Sequence, residues 1–197
     1  MKSPLLPIFL TVFVDVLGLT LVLPLLPFYA EHFGATAFEV TMIAASYSAC
    51  QLVSGPLLGR LSDRVGRKPT LLASQMGTLV GFLVLAFASQ LWMLFLGRII
   101  DGSTAGNLSI AQAYISDVTT PDKRTRAFAV IGISFGMGFL IGPALSGVLA
   151  QRWGYAAPMF LAAALSATSV LTTATLLPRV VPHAPHDEDE PVAPGGT

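Results

Sequence analysis

Six apolar runs, each about as long as a bilayer is thick, limit what this chain can fold into. They are Leu5–Tyr29, Val40–Leu58, Thr70–Ala88, Leu91–Tyr114, Phe128–Ala150 and Ala157–Leu177. A hydrocarbon core of about 30 Å is crossed by about 20 residues of α-helix. Short polar separators divide the runs, among them Glu31–Gly34, Ser89-Gln90, Pro121–Arg124 and Gln151–Gly154. The helices of a large soluble protein can also be apolar all round. Six in a row with no amphipathic partner do not fit that picture, and only 11% of the 197 residues are charged, against roughly 25% in a soluble domain. The expected fold is an all-α membrane bundle of six transmembrane helices over residues 1–180. The first run follows Lys2 as a signal peptide would, but it exceeds the ~7–15 residues of a signal's apolar region and is read as a retained span.

Basic residues orient the bundle. With a cytoplasmic N-terminus, Lys2, Arg60, Arg64, Arg67, Lys68, Lys123, Arg124, Arg126 and Arg179 all lie inside, Arg152 lies outside and Arg98 lies within a span. Basic loops mark the cytoplasmic side, so both termini are expected there. Residues 181–197 are rich in Pro, Gly and acid and read as a disordered tail or the start of a linker. His183 and His186 in that tail lack further ligands at a spacing that closes a metal site. The single cysteine, Cys50, excludes an internal disulfide and reads as a small buried hydrophobe. Zero net charge offers nucleic acid no basic face.

The densest charge cluster, Gly59 to Pro69, is read as the turn between spans two and three. It has an echo: Gly59-x-Leu61-x-x-Arg64-x-Gly66 is matched by Gly147-x-Leu149-x-x-Arg152-x-Gly154 between spans five and six. With three spans per unit the two copies fall on opposite sides of the membrane, the pattern of a 3+3 inverted repeat.

Charges inside the spans carry the functional signal. Asp15 lies mid-way along span one, where a carboxylate costs about 2.5–3.5 kcal/mol on insertion scales. Such a group either faces a polar cavity and takes up protons or cations, or makes a structural contact with a neighbouring helix. Arg98 and Asp101 in span four are three residues apart, hence on one helix face, as an ion pair with either a structural or a functional role. Tyr47 and Gln51 in span two and Asn107 and Gln112 in span four are candidate cavity liners. In span five, Gly132/Gly136 and Gly138/Gly142 have G-x-x-x-G spacing that lets helices approach closely, and Pro143 removes a helical hydrogen bond. Either packing alone or a hinge accounts for them. Pro24 and Pro27 predict a kink near the outer end of span one.

Taken together, these residues resemble the major facilitator superfamily. Gly59-x-Leu61-x-Asp63-Arg64-x-Gly66-Arg67-Lys68 looks like that family's motif A at every defining position. Gly97-Arg98-x-x-Asp101-Gly102 is similar to its span-four motif, with Asp101 where glutamine is common. Gly138-x-x-x-Gly142-Pro143-x-x-x-Gly147 resembles the span-five antiporter motif with looser glycine spacing. Asp15-x-x-Gly18, with Pro24 and Pro27, looks like the span-one motif of drug:proton antiporters. The resemblance is strongest to the tetracycline and multidrug exporter branch and covers about residues 5–180.

The resemblance implies proton-coupled efflux of a small amphipathic compound by alternating access, in the plasma membrane, most simply a bacterial inner membrane. Asp15, Arg98 and Asp101 would couple protons to substrate. Gly59, Leu61, Asp63, Arg64, Gly66, Arg67 and Lys68 would form a cytoplasmic gate, joined by Asp117 and by Arg124 or Arg126. Gly138, Gly142, Pro143 and Gly147 would form a bend. No cofactor is implied, and no catalytic set, metal cluster or phosphate-binding loop points to an enzyme. The family has twelve spans and six are present here, so a second six-helix half or a homodimer is the expected partner. A truncated or half-size membrane protein that is inactive alone or acts as an interaction partner, and a proton-coupled uptake symporter, are the alternatives.

Overall fold

The computed structural model describes residues 5–178, all helices and connections. The elements are α1 (Leu5–Val22), α2 (Leu26–His32), α3 (Ala37–Val65), α4 (Arg67–Ala86), α5 (Leu91–Ser103), α6 (Asn107–Val118), α7 (Arg124–Trp153) and α8 (Ala156–Leu176), with a 3-10 turn at Pro121–Lys123 before α7. The tail beyond residue 180 lies outside the described residues.

Two of the six expected spans are broken rods. Span one bends by 41° between α1 and α2, where Pro24 and Pro27 interrupt the backbone ladder. Span four separates into α5 and α6 at Thr104–Gly106, a break the apolar pattern did not announce. By length and apolarity α4, α7 (with the turn before it) and α8 could each cross a membrane, as could the bent α1/α2 pair. The other two expected spans fall short for identifiable reasons. The halves α5 and α6 are each too short, and α3 is long but carries Thr41, Ser46, Tyr47, Ser48 and Gln51.

The packing is paired across the chain. Helix α1 packs on α7 and α8, while α5 packs on α3 and α4, and α4 packs on α8. If spans one to three are matched with spans four to six, each of these contacts maps onto another or onto itself. The sequence echo falls at matching places in that scheme. Gly66 ends the 29-residue α3 with φ 109°, and Gly154 ends the 30-residue α7 with φ 84°. Each donates its N–H back into its helix, to Ser62 O and Ala150 O.

This corrects the expected loop. Gly59 to Val65 are the last two turns of α3, and the turn itself is Gly66 alone. The helix runs on through its charged residues because they lie beyond the apolar stretch, where water solvates them, and only a residue that tolerates positive φ stops it. Two glycines of one motif therefore have opposite roles. A Cβ on Gly66 would be held in a backbone region that L residues avoid, so Gly66→Ala is expected to destabilise by about 1–3 kcal/mol. Gly59 is interior to a helix with open space around it, so Gly59→Ala is expected to stabilise by up to about 1 kcal/mol. Thermal unfolding of both variants in detergent checks the pair of signs.

Small residues and hydroxyls join the helices. A Cβ on Gly138 would lie 2.6 Å from Val16, and Gly142 meets Thr20. Thr20 donates to Gly138 O at 2.9 Å, and Ser146 donates to Leu21 O. That is how helices associate where lipid supplies no hydrophobic drive. By contrast a Cβ on Gly132, Gly136 or Gly147 would meet no neighbouring element within 4 Å among the described residues, and α7 passes Pro143 without interruption. Of the expected bend motif, Gly138 and Gly142 serve contact with α1, whereas Pro143 and Gly147 are on the exposed face.

Candidate functional site

Two apolar clusters fill the bundle. One joins Leu21, Leu25, Tyr29, Phe82, Leu94 and Met159, the other Ile8, Val12, Leu71, Ile110, Tyr114 and Ile131. Between them runs a polar layer containing Gln75, Thr78, Arg98, Asp101 and Ser169, all buried. A cavity of about 410 Å³ opens on this layer, within the range of small-molecule sites. Asp15 on α1, Tyr47 and Gln51 on α3, Arg98 and Asp101 on α5 and Asn107 on α6 line it, with apolar walls from Val12, Leu19, Phe82, Leu108 and Phe135.

Arg98 is the largest fully buried side chain, 1% exposed. Its Nη1 lies 3.0 Å from Asp101 Oδ2, and its guanidinium lies 3.9 Å over the centre of the Tyr47 ring. Gln51 Nε2 donates to Tyr47 OH at 3.2 Å, so the ring is held at its far end. Glycines let these elements close in. A Cβ on Gly81 would fall 2.9 Å from Asp101 Cβ, and one on Gly102 would fall 2.6 Å from Tyr47 O. Asp15 is half-buried because it borders the cavity, and its Oδ1 has no hydrogen-bond partner among the described residues.

Gln112 does not join them. It lies five residues beyond Asn107, about 140° around α6, and is exposed outside the cavity. Sequence reasoning missed Gln75, Thr78 and Ser169. Polar but uncharged residues are common in apolar runs, and no signal in the sequence separates these three from the rest.

The motif A residues form a second cluster at the end of α3. Arg67 Nε lies 2.7 Å from Asp117 Oδ2 on α6, and its Nη1 lies 2.5 Å from Asp63 Oδ1. The same nitrogen donates to Ser62 Oγ at 2.7 Å. The two carboxylates, Asp63 and Asp117, together neutralise the buried Arg67 guanidinium. Lys68 Nζ donates to Ala174 O and Leu177 O at 2.7 Å each, capping the open carbonyls of α8. Four of the six rods, α3, α4, α6 and α8, are thus tied together at this end. Arg124 donates to Ser116 O at 3.4 Å instead of joining Asp117, and Arg64 and Arg126 form no ion pair among the described residues. Leu61 is exposed at 44%.

Comparison with known proteins decides the family. The model of the Major Facilitator Superfamily matches residues 8–195. The chain belongs to the major facilitator superfamily. Among its relatives is the class H tetracycline resistance protein of Pasteurella multocida, 41% identical over 154 residues that cover 76% of this chain and 38% of that protein. The class B tetracycline resistance protein of Escherichia coli is 37% identical over 160 residues, covering 80% and 40%. The crystal structure of the human organic anion transporter MFSD10 (TETRAN) matches with TM-score 0.79 and 28% identity, over 89% of this chain and 47% of that one. The chain spans about two fifths of the length of the curated tetracycline resistance relatives it matches. Its all-α bundle corresponds to half of that superfamily's fold.

Proposed function

We propose that the chain is the proton-coupling half of an exporter for small amphipathic compounds, tetracycline-like among them. The observation that carries the reading is the pairing of charges at the cavity. Asp101 is neutralised by Arg98, whereas Asp15 borders the same cavity with no cation bonded to it and one oxygen unpartnered among the described residues. A membrane-buried carboxylate in that position is suited to exchange a proton for substrate. The tetracycline resistance proteins among the relatives favour efflux over uptake. Alternating access would then proceed with Arg67, Asp63 and Asp117 as the cytoplasmic latch, in a bacterial inner membrane with both termini cytoplasmic.

A partner bundle is part of the proposal. The exposed faces of α3 and α7 carry Leu52, Val53, Leu57, Phe139 and Leu140, with open space at Gly59, Gly132 and Gly136. The occupant is a second six-helix half or a second copy of this chain. Everted vesicles containing the chain, alone and co-expressed with the second half of the class H relative, test the reading. Energised accumulation of tetracycline in either case supports export. Its absence in both, with the protein shown inserted, counts against it.

A further inference from the structure

Asp15 belongs to a polar cluster that the cavity lining does not explain. Around it stand Ser169 on α8, Asn107 on α6 and Gln75 on α4. Gln75 is fully buried, and its Nε2 donates to Ser169 Oγ at 2.9 Å. That bond occupies a lone pair of the hydroxyl and leaves its proton free to be donated onward. An ionised carboxylate only accepts, so Ser169 is set to serve Asp15 in its charged form.

The same cluster also holds acceptor oxygens that lack a donor. Asp15 Oδ1, Gln75 Oε1 and Asn107 Oδ1 are all buried and, among the described residues, all without a partner. These are three acceptors short of a donor, and buried polar atoms are rarely left so. A proton bound to Asp15 at Oδ1 supplies the missing donor, with an amide oxygen to receive it. The charged and titratable groups near Asp15 are Asp101 and Arg98 on α5 and Tyr47 on α3. Among the described residues, the α4, α6, α7 and α8 side chains at the site are uncharged.

We infer that Gln75, acting with Ser169, is a positioning residue that offers Asp15 a partner in both protonation states. In the ionised state Asp15 accepts from Ser169, whose hydroxyl Gln75 orients. In the protonated state Asp15 donates to Gln75 Oε1. The carboxyl gains and loses its proton without moving from the α4–α8 seam. This rests on Asp15 as the proton carrier.

The test is acid-minus-alkaline infrared difference spectroscopy of the full chain in lipid nanodiscs. A carboxyl C=O band that disappears in Asp15→Asn belongs to Asp15. In Gln75→Leu that band is expected to shift to higher frequency, because its O–H has lost an acceptor. In Ser169→Ala the alkaline carboxylate bands shift instead. Gln75→Met repeats the first test should the leucine variant fail to fold. An Asp15 band unchanged in the Gln75 variants overturns this inference and leaves the carrier reading standing. A band that follows sodium instead of pH overturns it in favour of a bound cation. No Asp15 band at any pH overturns both.

Discussion

Asp15→Asn is expected to leave the protein inserted and folded while reducing substrate-linked proton movement to the leak of empty liposomes. Asparagine keeps the shape of the side chain and removes the charge. Its amide also supplies a donor where Gln75 Oε1 and Asn107 Oδ1 have none. Stability should therefore hold or rise, because a buried charge costs more than a buried, hydrogen-bonded amide. What is lost is the cavity carboxylate that, among the described residues, no cation pairs. Substrate binding, followed by quenching of tetracycline fluorescence, separates the two effects. Binding retained with coupling lost is the expected pattern. Coupled movement at the normal rate would remove Asp15 from the carrier role.

Arg98→Ala is expected to have the largest effect on stability. It leaves Asp101, 4% exposed, as an unpaired buried charge, and removing one partner of a buried pair costs about 3–5 kcal/mol. It also empties the space over the Tyr47 ring, where a cation contributes about 0.5–2 kcal/mol. The double variant Arg98→Ala/Asp101→Asn should recover most of the charge-related loss, since neither partner remains to be left alone. Arg98→Lys keeps the charge but not the planar stack, and should fall between. Thermal unfolding of the four proteins reads the series. A double variant as unstable as Arg98→Ala would mean that packing of the guanidinium, not pairing with Asp101, holds the site.

The sequence made some of this site legible for a physical reason. A charge within an apolar run has no cheap place to go, so Asp15, Arg98 and Asp101 stand out from composition alone, and all three line one cavity. The echo ending at Gly66 and Gly154 was readable because a helix stop that demands positive φ is written as glycine. Other features left no mark. The charged stretch after Gly59 reads as a loop, but charge does not stop a helix that has left the apolar layer. The break between α5 and α6 depends on another helix. Ser74 donates to Thr104 O and accepts from Gly106 N–H at 3.1 Å, and Gly77 leaves room for Thr104. That exchange replaces hydrogen bonds lost at the break, and no pattern local to span four encodes it. The stack of Arg98 on Tyr47 likewise joins two elements 51 positions apart in numbering and is fixed by packing at Gly102.

On the proposed mechanism substrate and proton compete for the cavity, and proton release on binding reads that competition. Purified protein in weakly buffered solution with a pH indicator would be titrated with tetracycline. Acidification that saturates with binding and is absent in Asp15→Asn is the expected result. Saturable binding with no pH change in the wild type, at any pH where the protein stays folded, would contradict it.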